Sequence, residues 1–282
     1  MFDPHIFMMC GLAESNFPIA TARMNLSFVT SLLLTTALAA PLAQAQSPEP
    51  TPPAQTVALP AMEWSAPALE PFVATYQAFY KGKEAGDATL RVVHGDGVQW
   101  RVDMAVRGKR GFASILGLNI EQSTVFNNEG SVYTPLSQST VKKALFMGKK
   151  VTGVYNWQNG TAQWQGDLKK ERQLPIPLQR GDQSALLLNL SLMRDTRPGQ
   201  TLEYRYVDVG RVRQHEYRAA DATEIVQVGD LSYDALRVYR TNGGNDETIL
   251  WIANGVPTPV RILQRKDGQD DIDLRLVEYQ GA

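Results

Sequence analysis

From residue 98 to residue 107 the chain alternates without a break. Val98, Trp100, Val102, Met104 and Val106 are apolar, and Gln99, Arg101, Asp103, Ala105 and Arg107 stand between them. A period of two puts successive side chains on opposite faces of an extended strand, so this segment has one dry face and one wet face. The pattern recurs along the chain, cut each time by turn residues. Segments 72–80 and 87–94 flank Lys81-Gly82-Lys83-Glu84-Ala85-Gly86, and 120–126 and 131–140 flank Asn127-Asn128-Glu129-Gly130. Segments 151–157 and 161–167 flank Asn159-Gly160, the strongest two-residue hairpin signal. Segment 172–178 follows, and beyond Gly199 the alternation resumes at 201–209, 212–219, 223–228, 231–241, 247–253, 257–265 and 271–279. About a dozen strands at hairpin spacing predict an all-β fold, a curled antiparallel meander forming a barrel or half-barrel. A parallel α/β fold is excluded, because its crossover helices are missing.

One stretch breaks the period. In Asp182–Asp195, Leu186, Leu190 and Met193 recur at helical spacing, and Leu187 and Leu188 widen the stripe. Asp182 is placed to accept from the free N–H groups of the first turn, and Pro198-Gly199 stops the chain beyond the last. Ser184, Asn189 and Ser191 leave only a narrow polar side. A mostly apolar helix of about four turns needs a concave apolar surface to bury it. The expectation is one central helix packed on the concave side of the sheet, with Leu186, Leu190 and Met193 facing that side.

The first 71 residues do not belong to this fold. Residues 25–40 form an uncharged apolar run, and Ala43-Gln44-Ala45 puts small residues at the two positions a signal peptidase requires. The run is about 15 residues, short of the roughly 20 that span a bilayer, so a cleaved signal peptide is expected, ending at Ala45. Residues 1–23 fit no targeting logic and read as a mis-called extension before a true start at Met24. Residues 46–71 carry Pro48, Pro50, Pro52, Pro53, Pro60 and Pro67, a composition that makes an extended tether. Trp64 is its one large apolar residue, either docked on the domain or exposed. Residues 72–282 are then a single β-rich domain of ordinary size.

Chemistry-bearing residues are few. The only cysteine, Cys10, lies in the leader region, so the exported part has no thiol, disulfide or thiolate metal site, which suits a periplasm. Of three histidines His5 goes with the leader; His94 and His215 have no second histidine at metal spacing. No Gly-x-Ser-x-Gly elbow and no Gly-Lys-Ser/Thr phosphate loop occurs, and Asp270, Asp271 and Asp273 lack the spacing of a calcium loop. No catalytic residue, metal or cofactor is expected, and the chain does not read as an enzyme. The 28 Lys+Arg and 29 Asp+Glu become 27 of each once Arg23, Asp3 and Glu14 leave with residues 1–45. No global field then favours nucleic acid.

Two stretches join cations to apolar residues. One runs from Arg107 through Lys109, Arg110 and Phe112 into Ile115; the other brackets Leu145 and Phe146 with Lys142, Lys143, Lys149 and Lys150. Cations beside apolar surface suit an anionic, acylated ligand or a membrane surface. The plainer alternative is that the apolar residues fill a barrel whose wet loop ends carry the lysines.

Several spaced features carry a family resemblance. Phe79-Tyr80-Lys81-Gly82 with Gly86-Asp87-Ala88, Asp182-Gln183-Ser184-Ala185, Gly199-Gln200-Thr201-Leu202, Trp251-Ile252-Ala253 and Pro259-Val260-Arg261-Ile262 stand at matching places. By these the chain resembles domain of unknown function 3108, a family of uncharacterised exported bacterial proteins, from Phe72 to Tyr279. The resemblance implies export and a β-rich fold, and supplies no active residues. The expected function is a non-enzymatic periplasmic protein that binds an amphipathic or lipidic envelope component. Leu186, Leu190 and Met193 would meet its apolar part, Phe112 and Phe146 would flank it, and Arg107, Lys109, Arg110, Lys142, Lys143, Lys149 and Lys150 would meet its head group. The alternative is a tethered module that pairs with another envelope protein. An open apolar cavity would favour the first, and a filled interior the second.

Overall fold

The computed structural model describes residue 64 and residues 68–109, 119–143 and 148–281. The leader, residues 46–63 and 65–67 of the tether, Arg110, Phe112 and Phe146 lie outside the described residues. The strands are β1 (Phe72–Tyr80), β2 (Lys83–His94), β3 (Gln99–Gly108), β4 (Asn119–Glu129), β5 (Val132–Lys143), β6 (Gly148–Asn156), β7 (Thr161–Gly166) and β8 (Ile176–Pro177). Helix α1 (Ala185–Asp195) follows, then β9 (Thr201–Asp208), β10 (Arg211–Ala219), β11 (Glu224–Val228), β12 (Leu231–Arg240), β13 (Asp246–Ala253), β14 (Arg261–Lys266) and β15 (Gln269–Gly281).

All these strands belong to one antiparallel sheet in the order 8-7-6-5-4-3-2-1-15-14-13-12-10-9, with β11 continuing beside β12. The chain starts at the middle of the sheet, winds out to β8, crosses through α1 to the far edge at β9, and winds back until β15 pairs with β1. The ladder does not close, so the sheet is a half-barrel rather than a sealed barrel. Its two ends are nevertheless brought together. Gln183, just ahead of α1, donates to the Arg205 carbonyl and accepts from Val207 N–H, both at 2.9 Å, making a short parallel bridge to β9. Val151, Tyr155, Ala162 and Trp164 of β6 and β7 pack with Val207 and Val209 in a separate small core along this seam.

Helix α1 lies in the concavity as expected. Leu186, Leu187, Leu188, Leu190, Leu192 and Met193 are all at most 5% exposed, so the helix is buried nearly all round. It packs against β9, β3, β4 and β5. Its ends differ from the sequence expectation. The helix has 11 residues, about three turns, and its cap is Ser184, whose Oγ accepts from Leu187 N–H at 3.4 Å. Asp182 is drawn away instead: its carboxylate accepts from Gln179 N–H at 2.8 Å and from the Arg205 guanidinium at 2.6 Å.

Proline explains two further departures. The segment expected as a strand at 172–178 keeps only Ile176–Pro177 as strand and begins with a 3-10 turn at Lys170–Gln173. Pro175 and Pro177 have no N–H to give a ladder. For the same reason β14 begins at Arg261 rather than at Pro257. Trp64 and Leu69 pack against the main core, which decides between the docked and exposed readings of that tryptophan.

Candidate functional site

Strand pairing sorts the turns into two ends of the half-barrel. At one end lie the β1–β2 turn, the ends of β3 and β5, the starts of β4 and β6, and the 3-10 turn after β7. The β12–β13, β14–β15 and β9–β10 turns lie at the same end. Pairings Val106 with Ile120, Ile120 with Lys142, and Lys142 with Lys149 stack the two basic stretches of the sequence side by side there. The expected association of the two stretches is therefore a consequence of antiparallel register. Arg107, Lys109, Lys143, Lys149 and Lys150 are exposed, and Lys142 is half-buried. Lys109 is paired with Glu84, and Lys143 Nζ donates to Glu121 at 2.8 Å. These pairs are exposed and weakened by solvent screening, so they do not fix the lysines against a competing anion.

Beside this basic sector the sheet leaves a recess. It is lined on β1 by Ala78 to Tyr80, on β2 by Ala85 and Gly86, on β3 by Met104 and Val106, on β4 by Ile120, and on β15 by Ile272 and Leu274. Its volume is about 570 Å³ with the open solvent of its mouth included. The walls are almost wholly apolar; Gln122 and the Arg107 stretch are the polar exceptions. Gly86 sets the approach of two of its strands. A Cβ on Gly86 would collide with the Arg107 carbonyl oxygen, so β2 and β3 approach as closely as glycine allows. Leu186, Leu190 and Met193 are not part of this lining. The sequence reading joined the basic stretches and the helix into one site; here the helix is core, and the basic stretches border a different space.

A buried polar cluster, which the sequence reading did not assemble, sits near the seam. Asp208 is 1% exposed; Tyr206 donates to its Oδ2 at 2.8 Å, and among the described residues no hydrogen-bond partner meets Oδ1. Burial pushes its pKa up to about 6, with the Tyr206 and Gln138 hydrogen bonds and Arg213 pulling the other way. The Tyr155 hydroxyl lies 2.6 Å from both the Gln138 Oε1 and the Val207 carbonyl, so one proton serves two acceptors. His215 stacks on Tyr206 with ring centroids 4.8 Å apart, and its Nδ1 is 3.4 Å from the Tyr217 hydroxyl. Burial, then Arg240 and Arg213, push the His215 pKa down to about 3, so the ring is neutral at neutral pH. The ring lies between those of Tyr206 and Tyr217. His94, by contrast, is exposed; its Nε2–H donates to the Gly97 carbonyl at 2.8 Å, and its ring is tilted against that of Trp100 with centroids 4.5 Å apart. Among the described residues no group of three His, Cys, Asp or Glu could hold a metal ion, and no helix is long and apolar enough to cross a membrane.

Comparison with known proteins gives one family. The model of the family described as Protein of unknown function (DUF3108) matches residues 75–275. No curated protein matches the chain. Among solved structures it is similar to a β-barrel-like protein of domain of unknown function DUF1849 from Brucella abortus, at 9% identity and TM-score 0.44, over 76% of this chain and 98% of that one. It is also similar to a DUF1089 family protein from Pseudomonas aeruginosa, at 11% identity and TM-score 0.34, over 71% and 92% of the two chains. At these scores neither relative bears on function.

Proposed function

The chain belongs to the DUF3108 family, and from that premise we propose that it is an exported, non-enzymatic envelope protein that engages an anionic amphiphile at the basic end of its half-barrel. Export rests on the leader read in residues 24–45, with the periplasm as destination. The observation that carries the binding reading is the apolar recess bordered by Arg107, Lys109 and Lys142. Apolar walls favour an alkyl group and the adjacent cations favour its anionic head. The recess holds about 570 Å³ with its open mouth included, and α1 lines none of it. The amphiphile therefore inserts the end of a chain and is not engulfed.

Native mass spectrometry with added phosphatidylglycerol tests this. The wild-type protein should take up one lipid, and Val106→Trp, which projects a large ring from the half-buried lip of the recess, should lose most of that uptake while melting like the wild type. Equal uptake by both proteins would rule the recess out. A second reading has one observation of its own. The filling of the concavity by α1 favours a protein-binding module of the envelope, held on its proline-rich tether. In that case neither protein takes up lipid.

A further inference from the structure

The chain has ten lysines, and the fold brings all ten to one end of the half-barrel. They come from five separate segments. Lys81 is in the β1–β2 turn and Lys83 opens β2, Lys109 follows β3, and Lys142 and Lys143 end β5 while Lys149 and Lys150 open β6. Lys169 and Lys170 enter the 3-10 turn after β7, and Lys266 ends β14. The arginines are not segregated: Arg172, Arg211 and Arg265 are at this end, but Arg180, Arg197 and Arg218 are at the other. Charge is also uneven around the lysine end itself. Residues 81–87, 107–109, 119–121, 141–143 and 148–151, the turns and strand ends of β1 to β6, hold eight Lys or Arg against Glu84, Asp87 and Glu121. Across β13 to β15 the acids Asp246, Glu247, Asp267 and Asp270 balance or exceed the bases. The positive field is thus one sector of one end.

We infer that this lysine-bearing sector of β1 to β6 docks on the surface of an anionic bilayer. Lysine suits that partner. Its compact, strongly hydrated ammonium on a flexible stem responds to a diffuse field, whereas arginine supplies the planar fork for a fixed carboxylate or phosphate. Attraction to an anionic leaflet acts over about one Debye length, so only a clustered sector that can lie flat on the surface gains from it. The termini leave that surface free. Phe72 pairs with Val92 and Gly281, so the tether enters and β15 ends at the opposite end. Docking does not require the recess, and so goes beyond the lipid-uptake reading.

Flotation of the exported protein with vesicles tests the inference, using phosphatidylcholine alone and phosphatidylcholine with one-third phosphatidylglycerol. The wild type should float with the anionic vesicles only, and release in high salt. Lys149→Gln/Lys150→Gln should lower its partition by roughly ten- to thirty-fold. Arg180→Glu removes the same net charge at the other end and should stay within about two-fold of wild type. Equal losses in both variants would overturn the inference, as would partition onto neutral vesicles or none onto anionic ones. If single-lipid uptake persists without flotation, docking fails and the recess stands; if flotation persists without uptake, the recess fails and docking stands.

Discussion

In Asp208→Asn a fully enclosed carboxyl group becomes neutral at every pH, and the effect on acid stability can be worked from the structure. Asp208 titrates at about 6 in the folded protein against an ordinary 3.8. The folded state therefore holds this proton more tightly than the unfolded chain. Its stabilising contribution is fully present below about pH 4 and is lost as pH rises through about 6. At about 1.4 kcal/mol per unit the whole swing is about 3 kcal/mol, of which roughly 1.4 is gained between pH 7 and pH 5. His215 acts in the opposite sense. Its folded pKa is lowered from 6.5 to about 3, so the unfolded chain takes that proton first. Its stability is present above about pH 6.5, and about 2 kcal/mol is lost by pH 5. The histidine wins, and the wild type should lose about half a kcal/mol between pH 7 and pH 5 from the two groups together. Asp208→Asn keeps only the histidine contribution and should lose about 2 kcal/mol over the same interval. Urea denaturation of both proteins at the two pH values measures the difference. Equal losses would refute the claim that Asp208 is buried and proton-sensitive.

Other substitutions test the packing. Gly153→Ala drives a methyl group into the Trp164 ring at the seam and should cost about 1–3 kcal/mol in chemical denaturation. Leu192→Ala, at a fully buried position of α1, should cost about 2–5 kcal/mol yet leave lipid uptake by the folded protein unchanged, because the helix is not part of the recess. Tyr155→Phe removes the hydroxyl shared by Gln138 and Val207 and should cost about 1–3 kcal/mol, read as a lower urea midpoint.

The strands were legible because one-sided burial writes a period of two into the sequence. β1 shows it plainly, with Phe72, Ala74, Tyr76, Ala78 and Tyr80 buried and Val73 exposed between the first two. The helix was legible for the converse reason, and its cap was misread because the partner that claims Asp182 is Arg205, a residue of a distant strand. The basic stretches could be seen in the sequence, but not that every lysine would share one end; that follows from register. The recess was invisible because its walls come from β1, β2, β3, β4 and β15, segments brought together only by pairing. The Asp208 cluster left a usable signal: Tyr206 and Asp208, then His215 and Tyr217, alternate on one face of two strands joined at Val209-Gly210.

The most direct measurement is photo-crosslinking with a phosphatidylglycerol that carries a diazirine at the end of one acyl chain, followed by peptide mapping. Labels should fall on the recess walls, at Met104, Ile120 and Leu274, and should be competed by unlabelled lipid. Labels on α1 at Leu190 or Met193, or uncompeted labelling of exposed strand residues such as Val154 and Val212, would contradict an amphiphile site at the basic end of the half-barrel.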